Sequence, residues 1–188
     1  MKNVISDKYF ITGLPRSGTA WLANFMTYGS SFCYHEALRF CSSKDRFKEM
    51  LSLDGYDYVG NSDSGLGFFV DWIPPDSKVV IVERDSFEVV ESLKNAFINT
   101  FDLDKLNAIL NATLLNLEVI KKRFDTLVIP YGKFTQASCD MIWNHCLPRV
   151  PFNKERAEML IDMNVSVKDN DLESYMIGHD DSVYYGIK

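Results

Sequence analysis

The chain has 188 residues, of which 46% are hydrophobic and 24% are charged, and its net charge is −6 at pH 7. This length predicts one domain spanning residues 1–188, and the composition is that of a globular protein with a sizeable core. An acidic chain lacks the broad basic surface that sequence-independent nucleic-acid binding requires. It can still hold a small anion in a local basic pocket.

Membrane, export and metal signals are weak in the sequence. No run approaches the roughly 18 apolar residues of a membrane span, and residues 1–8 lack the apolar core of a signal peptide. The four cysteines (Cys33, Cys41, Cys139 and Cys146) form no CxxC pair. We therefore expect reduced thiols, no metal, no membrane or nucleic-acid partner, and a cytoplasmic protein.

Strand patterns alternate with helical patterns along the chain. Strands are predicted at residues 8–14, 31–34, 56–59, 78–83 and 126–130. Helices are predicted from Ser17 or Gly18 towards Gly29, and at residues 43–51, 65–72, 87–97, 102–124, 134–146 and 154–163, with 61–64 as a turn. This alternation predicts a three-layer α/β domain with a central, mostly parallel sheet flanked by helices.

A loop of small residues joins the first strand to the first helix. In such a loop backbone amides converge on an anion, and the helix N-terminus adds partial positive charge. Gly13 and Gly18 have P-loop spacing, but Thr19 stands where a nucleoside triphosphatase has lysine. The cation is instead Arg16, whose guanidinium offers a planar fork of donors. The loop predicts binding of a phosphate or sulfate ester, with a purely structural turn as the alternative.

Two further strands end in polar residues. His35 and Glu36 follow the second strand, and Arg84 follows strand 78–83, with Ser92 eight residues later. Ligands of open α/β sheets bind beyond the carboxyl ends of the strands, so these residues are site candidates. From the spacing alone, Arg84 and Ser92 either share a ligand or have no common partner.

Several segments together resemble the sulfotransferase family. Residues 14–22, LPRSGTAWL, look like its 5′-phosphosulfate loop, and residues 82–93, VERDSFEVVESL, look like its 3′-phosphate motif. Residues 32–36, FCYHE, are similar to a short strand ending in His-Glu that many bacterial members carry. Residues 127–131, LVIPY, resemble the strand that leads into a Tyr-Glu-Asp segment. The resemblance covers about residues 8–135 and suggests a short bacterial or phage member with a P-loop-type fold.

This resemblance implies transfer of a sulfuryl group from 3′-phosphoadenosine 5′-phosphosulfate (PAPS) to a hydroxyl or amine of a small-molecule or carbohydrate acceptor. The product would be adenosine 3′,5′-bisphosphate, and no metal is expected. The implied catalytic residues are Arg16 and a base, Glu36 or His35, of which the family pattern favours Glu36. The implied donor-binding residues are Pro15, Arg16, Ser17, Gly18, Thr19, Ala20, Trp21, Arg84, Ser92 and Tyr131. Within this set Trp21 would face the adenine, and Arg84 and Ser92 would hold the 3′-phosphate.

The sequence also departs from the family pattern. Ala20 replaces a second threonine of the loop, and Gly132 and Lys133 replace Glu-Asp after Tyr131. The family's C-terminal basic loop has no clear match, Lys168 being a faint candidate. These departures define an alternative, a catalytically weakened nucleotide-binding or interaction module of the same fold. A nucleotide kinase is disfavoured by the missing P-loop lysine.

Two other groups have structural interpretations. Cys139, His145 and Cys146 lie in an apolar helical pattern and are predicted to be core residues rather than metal ligands. Phe68, Phe69 and Trp72 are predicted to be core residues or one wall of an acceptor pocket.

Overall fold

The computed structural model describes residues 6–97, 102–132 and 134–161. In these residues five parallel strands form one sheet in the order β2-β3-β1-β4-β5. The strands are β1 (Asp7–Gly13), β2 (Ser31–His35), β3 (Tyr58–Ser62), β4 (Lys78–Glu83) and β5 (Asp125–Pro130). The α-helices are α1 (Thr19–Met26), α2 (Lys44–Met50), α3 (Ser86–Phe97), α4 (Leu103–Arg123), α5 (Gln136–Cys146) and α6 (Lys154–Ile161). Two 3-10 helices span Ala37–Phe40 and Ser64–Trp72.

Helices cover both faces of the sheet, so the predicted three-layer α/β class is confirmed. Successive strand side chains point to opposite faces. Ile11 packs in a buried cluster with Trp143 of α5 and with α1. Its neighbour Phe10 packs in a second cluster with Ile120 of α4. Because both faces are covered, the β-branched core of β4 is buried on each side, as expected for a parallel strand.

The strand order fixes where a ligand can bind. The chain leaves β1 towards the β2 edge of the sheet, whereas it leaves β4 towards the neighbouring β5. The two loops therefore depart in opposite directions and leave a crevice between the carboxyl ends of β1 and β4. We call this crevice, where the direction of the connections reverses, the switch point. In open α/β sheets it is the usual ligand site.

The prediction of a turn at residues 61–64 was wrong at its first half. Asn61 and Ser62 belong to β3, which begins and ends later than the predicted strand at 56–59. Both side chains are fully buried. Asn61 Oδ1 accepts a hydrogen bond from the Ala37 amide at 3.0 Å, and Ser62 Oγ donates to the Thr19 carbonyl oxygen at 2.8 Å. These tertiary partners allow polar residues inside a buried strand, and no hydrophobic pattern reveals them.

Helix starts differ from the predicted positions where a capping residue decides them. Gly18 is the N-cap of α1, so the helix begins one or two residues later than predicted. Ser43 caps α2 and Thr135 caps α5, each by accepting a hydrogen bond from a backbone amide. The predicted helix at 65–72 is the 3-10 helix Ser64–Trp72, whose N-cap is Asp63.

The remaining differences concern helix ends and one missed element. Helix α1 ends at Met26, before the predicted limit at Gly29. The 3-10 helix Ala37–Phe40 was not predicted, because four residues are too few to show helical periodicity. Lys133, Lys168 and the predicted end of the last helix at 162–163 lie outside the described residues. In the part of the chain that is described, no helix is both long and apolar enough for a bilayer crossing.

Candidate active site

The loop between β1 and α1 has the backbone geometry of an anion cradle. Gly18 adopts the left-handed conformation with φ of 81°, and its position as N-cap involves no side-chain hydrogen bond. The first amides of α1 have no acceptor inside the helix. At Gly13 a Cβ atom would lie 2.5 Å from the Val82 carbonyl oxygen, so glycine is required for β1 and β4 to approach. This close approach brings the loop beside the end of β4.

Two buried polar atoms at this loop lack hydrogen-bond partners. Ser17 is fully buried and its Oγ has no hydrogen-bond partner. Arg84 Nε is buried without a hydrogen bond, although the Glu88 carboxylate lies 3.6 Å from it. Buried polar groups are normally paired, and an orphan calls for an explanation such as a ligand. Hydroxyl and guanidinium donors are the groups that bind phosphate and sulfate oxygens. The residues present therefore fit an anionic ester of the PAPS type.

Arg16, Arg84 and Ser92 come together at the switch point. Arg84 Nη1 donates a hydrogen bond to the carbonyl oxygen of Arg16. Arg16 Nε lies 3.4 Å from Ser92 Oγ in α3. The Arg84 guanidinium also lies over the Tyr131 ring, 3.8 Å from its centroid. Arg84 and Ser92 thus both contact Arg16, although both lie far in the sequence from the loop between β1 and α1.

Two non-glycine residues in the described chain have positive φ, and both are predicted catalytic residues. They are Arg16, with φ of 66°, and Glu36, with φ of 52°. Such a residue costs on the order of 1–3 kcal/mol and persists where surrounding contacts impose it, commonly at functional sites. The backbone therefore gives an independent reason to place Arg16 and Glu36 in the site.

His35 links the loop to Glu36. Its Nε2 lies 3.4 Å from Thr19 Oγ1 and 3.9 Å from Glu36 Oε1. Burial lowers the pKa of His35 to about 4, so the ring is neutral near pH 7. The Glu36 side chain is 23% exposed, and Arg39 Nη1 lies 3.5 Å from its Oε2. Glu36 is thus the more accessible member of the pair.

The end of β3 supplies site residues that sequence reasoning missed. Asn61, Ser62 and Asp63 are buried and contact the turn after β2 or the first residue of α1. Burial raises the pKa of Asp63, and the nearby charge of Glu36 adds to this rise. The available signal was the run of polar residues at the end of a strand, the same signal that identified His35 and Glu36.

Trp21 occupies a different environment from the one that the family pattern implies. Its indole is 8% exposed and stacks on the Phe134 ring, with 4.6 Å between centroids. Trp21 Nε1 donates to the Leu160 carbonyl oxygen at 2.8 Å. A bound adenine could reach the indole face only after Phe134 moved. Contact between Trp21 and an adenine stays a prediction.

The other predicted donor-binding residues surround the loop. Pro15 and Ala20 are half-buried, and Thr19 is buried at the start of α1. Tyr131 follows β5 and is 37% exposed, with its ring against Arg84. These positions are compatible with contact to one ligand at the switch point.

A cleft of about 420 Å³ lies beside Arg84 on the α4 side of the sheet. Its lining contains the carboxylates of Glu83, Asp85 and Glu118 as well as Arg84 and Lys121. Lys121 Nζ is already bound to Glu83 and Glu118, at 2.6 Å each. An excess of carboxylates disfavours a phosphate, so we do not assign the predicted 3′-phosphate site to this cleft.

The interpretation of Cys139 and Cys146 as core residues is confirmed, since both are buried in the cluster beneath α5. His145 Nε2 lies 3.2 Å from the Val79 carbonyl oxygen. Phe68 and Phe69 are 49% and 36% exposed, so their core interpretation was wrong, whereas Trp72 packs against the core. Among the described residues, no cluster of three His, Cys, Asp or Glu side chains is arranged to bind a metal.

Comparisons with known proteins add no support to the resemblance to sulfotransferases, which rests on the sequence motifs. No protein-family model matches the chain, and no curated protein matches it significantly.

Proposed function

We propose that this protein is a PAPS-dependent sulfotransferase with a hydroxyl or amine acceptor, a small molecule or a carbohydrate. The observation that supports this most strongly is the meeting of Arg16, Arg84 and Ser92 at the switch point. The two sequence motifs predicted that these residues bind one donor nucleotide. Their common neighbourhood is what such a nucleotide requires.

The donor's two anionic ends would be held by different groups. Arg84 and Ser92 would bind the 3′-phosphate, a group that adenosine triphosphate lacks. Arg16, Ser17 and Thr19 would bind the 5′-phosphosulfate together with the first amides of α1. Recognition of the 3′-phosphate would select the donor without reading the base.

PAPS, when bound, supplies the sulfuryl group. Glu36 would take the proton of the acceptor hydroxyl or amine as the acceptor oxygen or nitrogen bonds to sulfur in line with the leaving oxygen. Arg16 would neutralise charge on the transferred group and on the bridging oxygen as the bond to adenosine 3′,5′-bisphosphate breaks. Such chemistry depends on positioning and electrostatic stabilisation, as phosphoryl transfer does.

Within this proposal Glu36, not His35, is the base. The His35 side chain is only 6% exposed, so an acceptor has little access to its ring. The partial exposure of the Glu36 side chain leaves it within reach of an acceptor. His35 would instead orient the Thr19 hydroxyl, since its Nε2 lies beside Thr19 Oγ1.

A nucleotide-binding or interaction module without turnover is the second candidate. Two observations favour it: Ala20 offers no hydroxyl to the 5′ end, and the Trp21 face is covered by Phe134. Both features bear on donor affinity and turnover rather than on the fold. We place either activity in the cytoplasm, where the four free cysteines would remain reduced.

Turnover separates the two candidates. Release of adenosine 3′,5′-bisphosphate from PAPS would be measured with panels of alcohol, amine and carbohydrate acceptors. Glu36→Gln should lower kcat by about 100-fold or more, the usual contribution of a general base. Glu49→Gln, at an exposed ion-paired carboxylate of α2, is the matched control and should leave kcat unchanged. Nucleotide binding without acceptor-dependent release would support the module instead.

A further inference from the structure

The backbone turn that carries Glu36 depends on contacts with another part of the fold. Glu36 has φ of 52° and lies between β2 and the 3-10 helix Ala37–Phe40. An L-residue does not favour this left-handed conformation by itself. Tertiary contacts must therefore stabilise the turn, and they determine where the Glu36 carboxylate lies.

The contacts come from three successive residues at the end of β3. The Glu36 amide donates to the Ser62 carbonyl oxygen at 3.0 Å. The next two amides, of Ala37 and Leu38, donate to Asn61 Oδ1 at 3.0 Å and to Asp63 Oδ2 at 3.1 Å. The first bond continues the β-ladder, whereas the other two depend on side chains.

These two side chains are themselves buried and connected. Asn61 is fully buried and Asp63 is 3% exposed. Asn61 Nδ2 lies 3.5 Å from Asp63 Oδ2, and Asp63 Oδ1 accepts from the Gly65 amide at 2.8 Å. Buried polar groups of this kind are costly unless hydrogen-bonded, so a satisfied pair fixes one geometry. We call Asn61 and Asp63 the β3 clamp.

We propose that the β3 clamp positions the Glu36 carboxylate for proton transfer from the acceptor. This inference rests on the proposed function, and it makes Asn61 and Asp63 positioning residues that act through Glu36. The clamp fixes the amides of Ala37 and Leu38, which directly follow Glu36, and the Glu36 side chain lies between His35 and Arg39. Sub-ångström placement of a base has large effects on rate.

A double-mutant cycle tests the clamp. The four proteins are wild type, Asn61→Ala, Glu36→Gln and the double variant. Asn61→Ala should lower kcat at least about tenfold and leave the KM for PAPS within about twofold, because the base is misplaced while the donor site is intact. In the Glu36→Gln background the same substitution should change kcat less than about twofold, since there is no base left to position.

Equal effects of Asn61→Ala in both backgrounds would overturn the inference, as would an unchanged kcat. If Asn61→Ala fails to fold, Asp63→Asn takes its place, because the amide keeps the shape and one acceptor oxygen. Thr113→Val is the control for losing a buried hydroxyl hydrogen bond elsewhere, in α4, and should leave kcat unchanged.

Amide hydrogen exchange gives a readout that does not need turnover. The Ala37 amide should exchange slowly in wild type and at least about tenfold faster in Asn61→Ala, because its buried acceptor is lost. An unaltered Ala37 exchange rate would overturn the clamp. Wild-type protein that binds no adenosine 3′,5′-bisphosphate would contradict the proposed function and, with it, any role of the clamp in catalysis.

Discussion

Arg84 Nη1 donates a hydrogen bond to the carbonyl oxygen of Arg16. Arg84 follows β4 and Arg16 lies in the loop after β1, so this bond joins the ends of two adjacent strands. It stabilises the left-handed backbone of Arg16, whose own Nε points to Ser92. The residues proposed for the two phosphate ends of the donor are therefore connected by contacts within the protein itself.

Tyr131 stabilises the Arg84 side chain that makes this hydrogen bond. Its ring lies against the Arg84 guanidinium at 3.8 Å, a cation–π distance. Tyr131→Phe should keep this stacking and bind adenosine 3′,5′-bisphosphate within about threefold of wild type, whereas Tyr131→Ala should weaken binding by about 1 kcal/mol, the size of one cation–π contact. Calorimetric titration measures both. Equal losses in the two variants would assign the role to the Tyr131 hydroxyl instead.

Gly18 is expected to be irreplaceable for two reasons. A side chain there would be strained at φ of 81° and would place Cβ 3.1 Å from Phe134 Cε2. Gly18→Ala should lower the free energy of unfolding by about 1–2 kcal/mol or more and should also weaken nucleotide binding. Denaturant unfolding and titration measure the two effects.

Gly55→Ala is the matched control for Gly18→Ala. Gly55 has a similar φ of 88°, and nothing lies within 4 Å of its would-be Cβ. Gly55→Ala should lower the free energy of unfolding by the backbone strain alone, about 1 kcal/mol, and should leave nucleotide binding unchanged. Unimpaired binding by Gly18→Ala would argue against the loop as the anion site.

His35 should make stability depend on pH. Burial lowers its pKa from 6.5 to about 4 in the folded protein, so near pH 5 the unfolded chain binds a proton that the folded protein does not. The contribution of His35 to the free energy of unfolding is fully present above about pH 7 and should fall by about 2 kcal/mol on acidification to pH 5. The raised pKa of Asp63 acts in the opposite direction, because there the folded protein binds the proton more readily.

Comparison with His35→Gln isolates this contribution, since Asp63 is present in both proteins. Urea unfolding at pH 7.5 and pH 5 should show a smaller loss of stability for the variant than for wild type. His145→Gln, which retains His35, serves as the histidine control. Identical pH dependence in wild type and His35→Gln would mean that His35 titrates normally in the folded state.

The sheet could be predicted because its strands carry a strong signal. The run of β-branched residues in β4 is buried on both faces, and its predicted bounds match the structure. Polar residues after β1, β2 and β4 were also identified, because ligand sites lie beyond the carboxyl ends of strands. These local patterns were enough to select Arg16, Glu36 and Arg84 as candidate site residues.

The rest of the site depends on contacts between distant segments. Asn61 and Ser62 were read as a turn because buried polar residues are unusual in a strand, and their partners, Ala37 and Thr19, are far away in the sequence. The approach of Ser92 to Arg16 likewise depends on how α3 packs. The stacking of Trp21 on Phe134 could not be predicted either, since Phe134 has no fixed spacing to the loop.

The proposed function requires that the donor nucleotide bind at Arg16, Arg84 and Ser92. Calorimetric titration with adenosine 3′,5′-bisphosphate, comparing wild type with Arg84→Ala, tests it most directly. We predict clear binding by wild type, a loss of about 2 kcal/mol or more in Arg84→Ala for a charged hydrogen-bonding partner, and weaker binding of adenosine triphosphate. Arg46→Ala, at an exposed ion-paired arginine of α2, should bind like wild type. Absence of binding to wild type, or equal affinity in wild type and Arg84→Ala, would contradict the account.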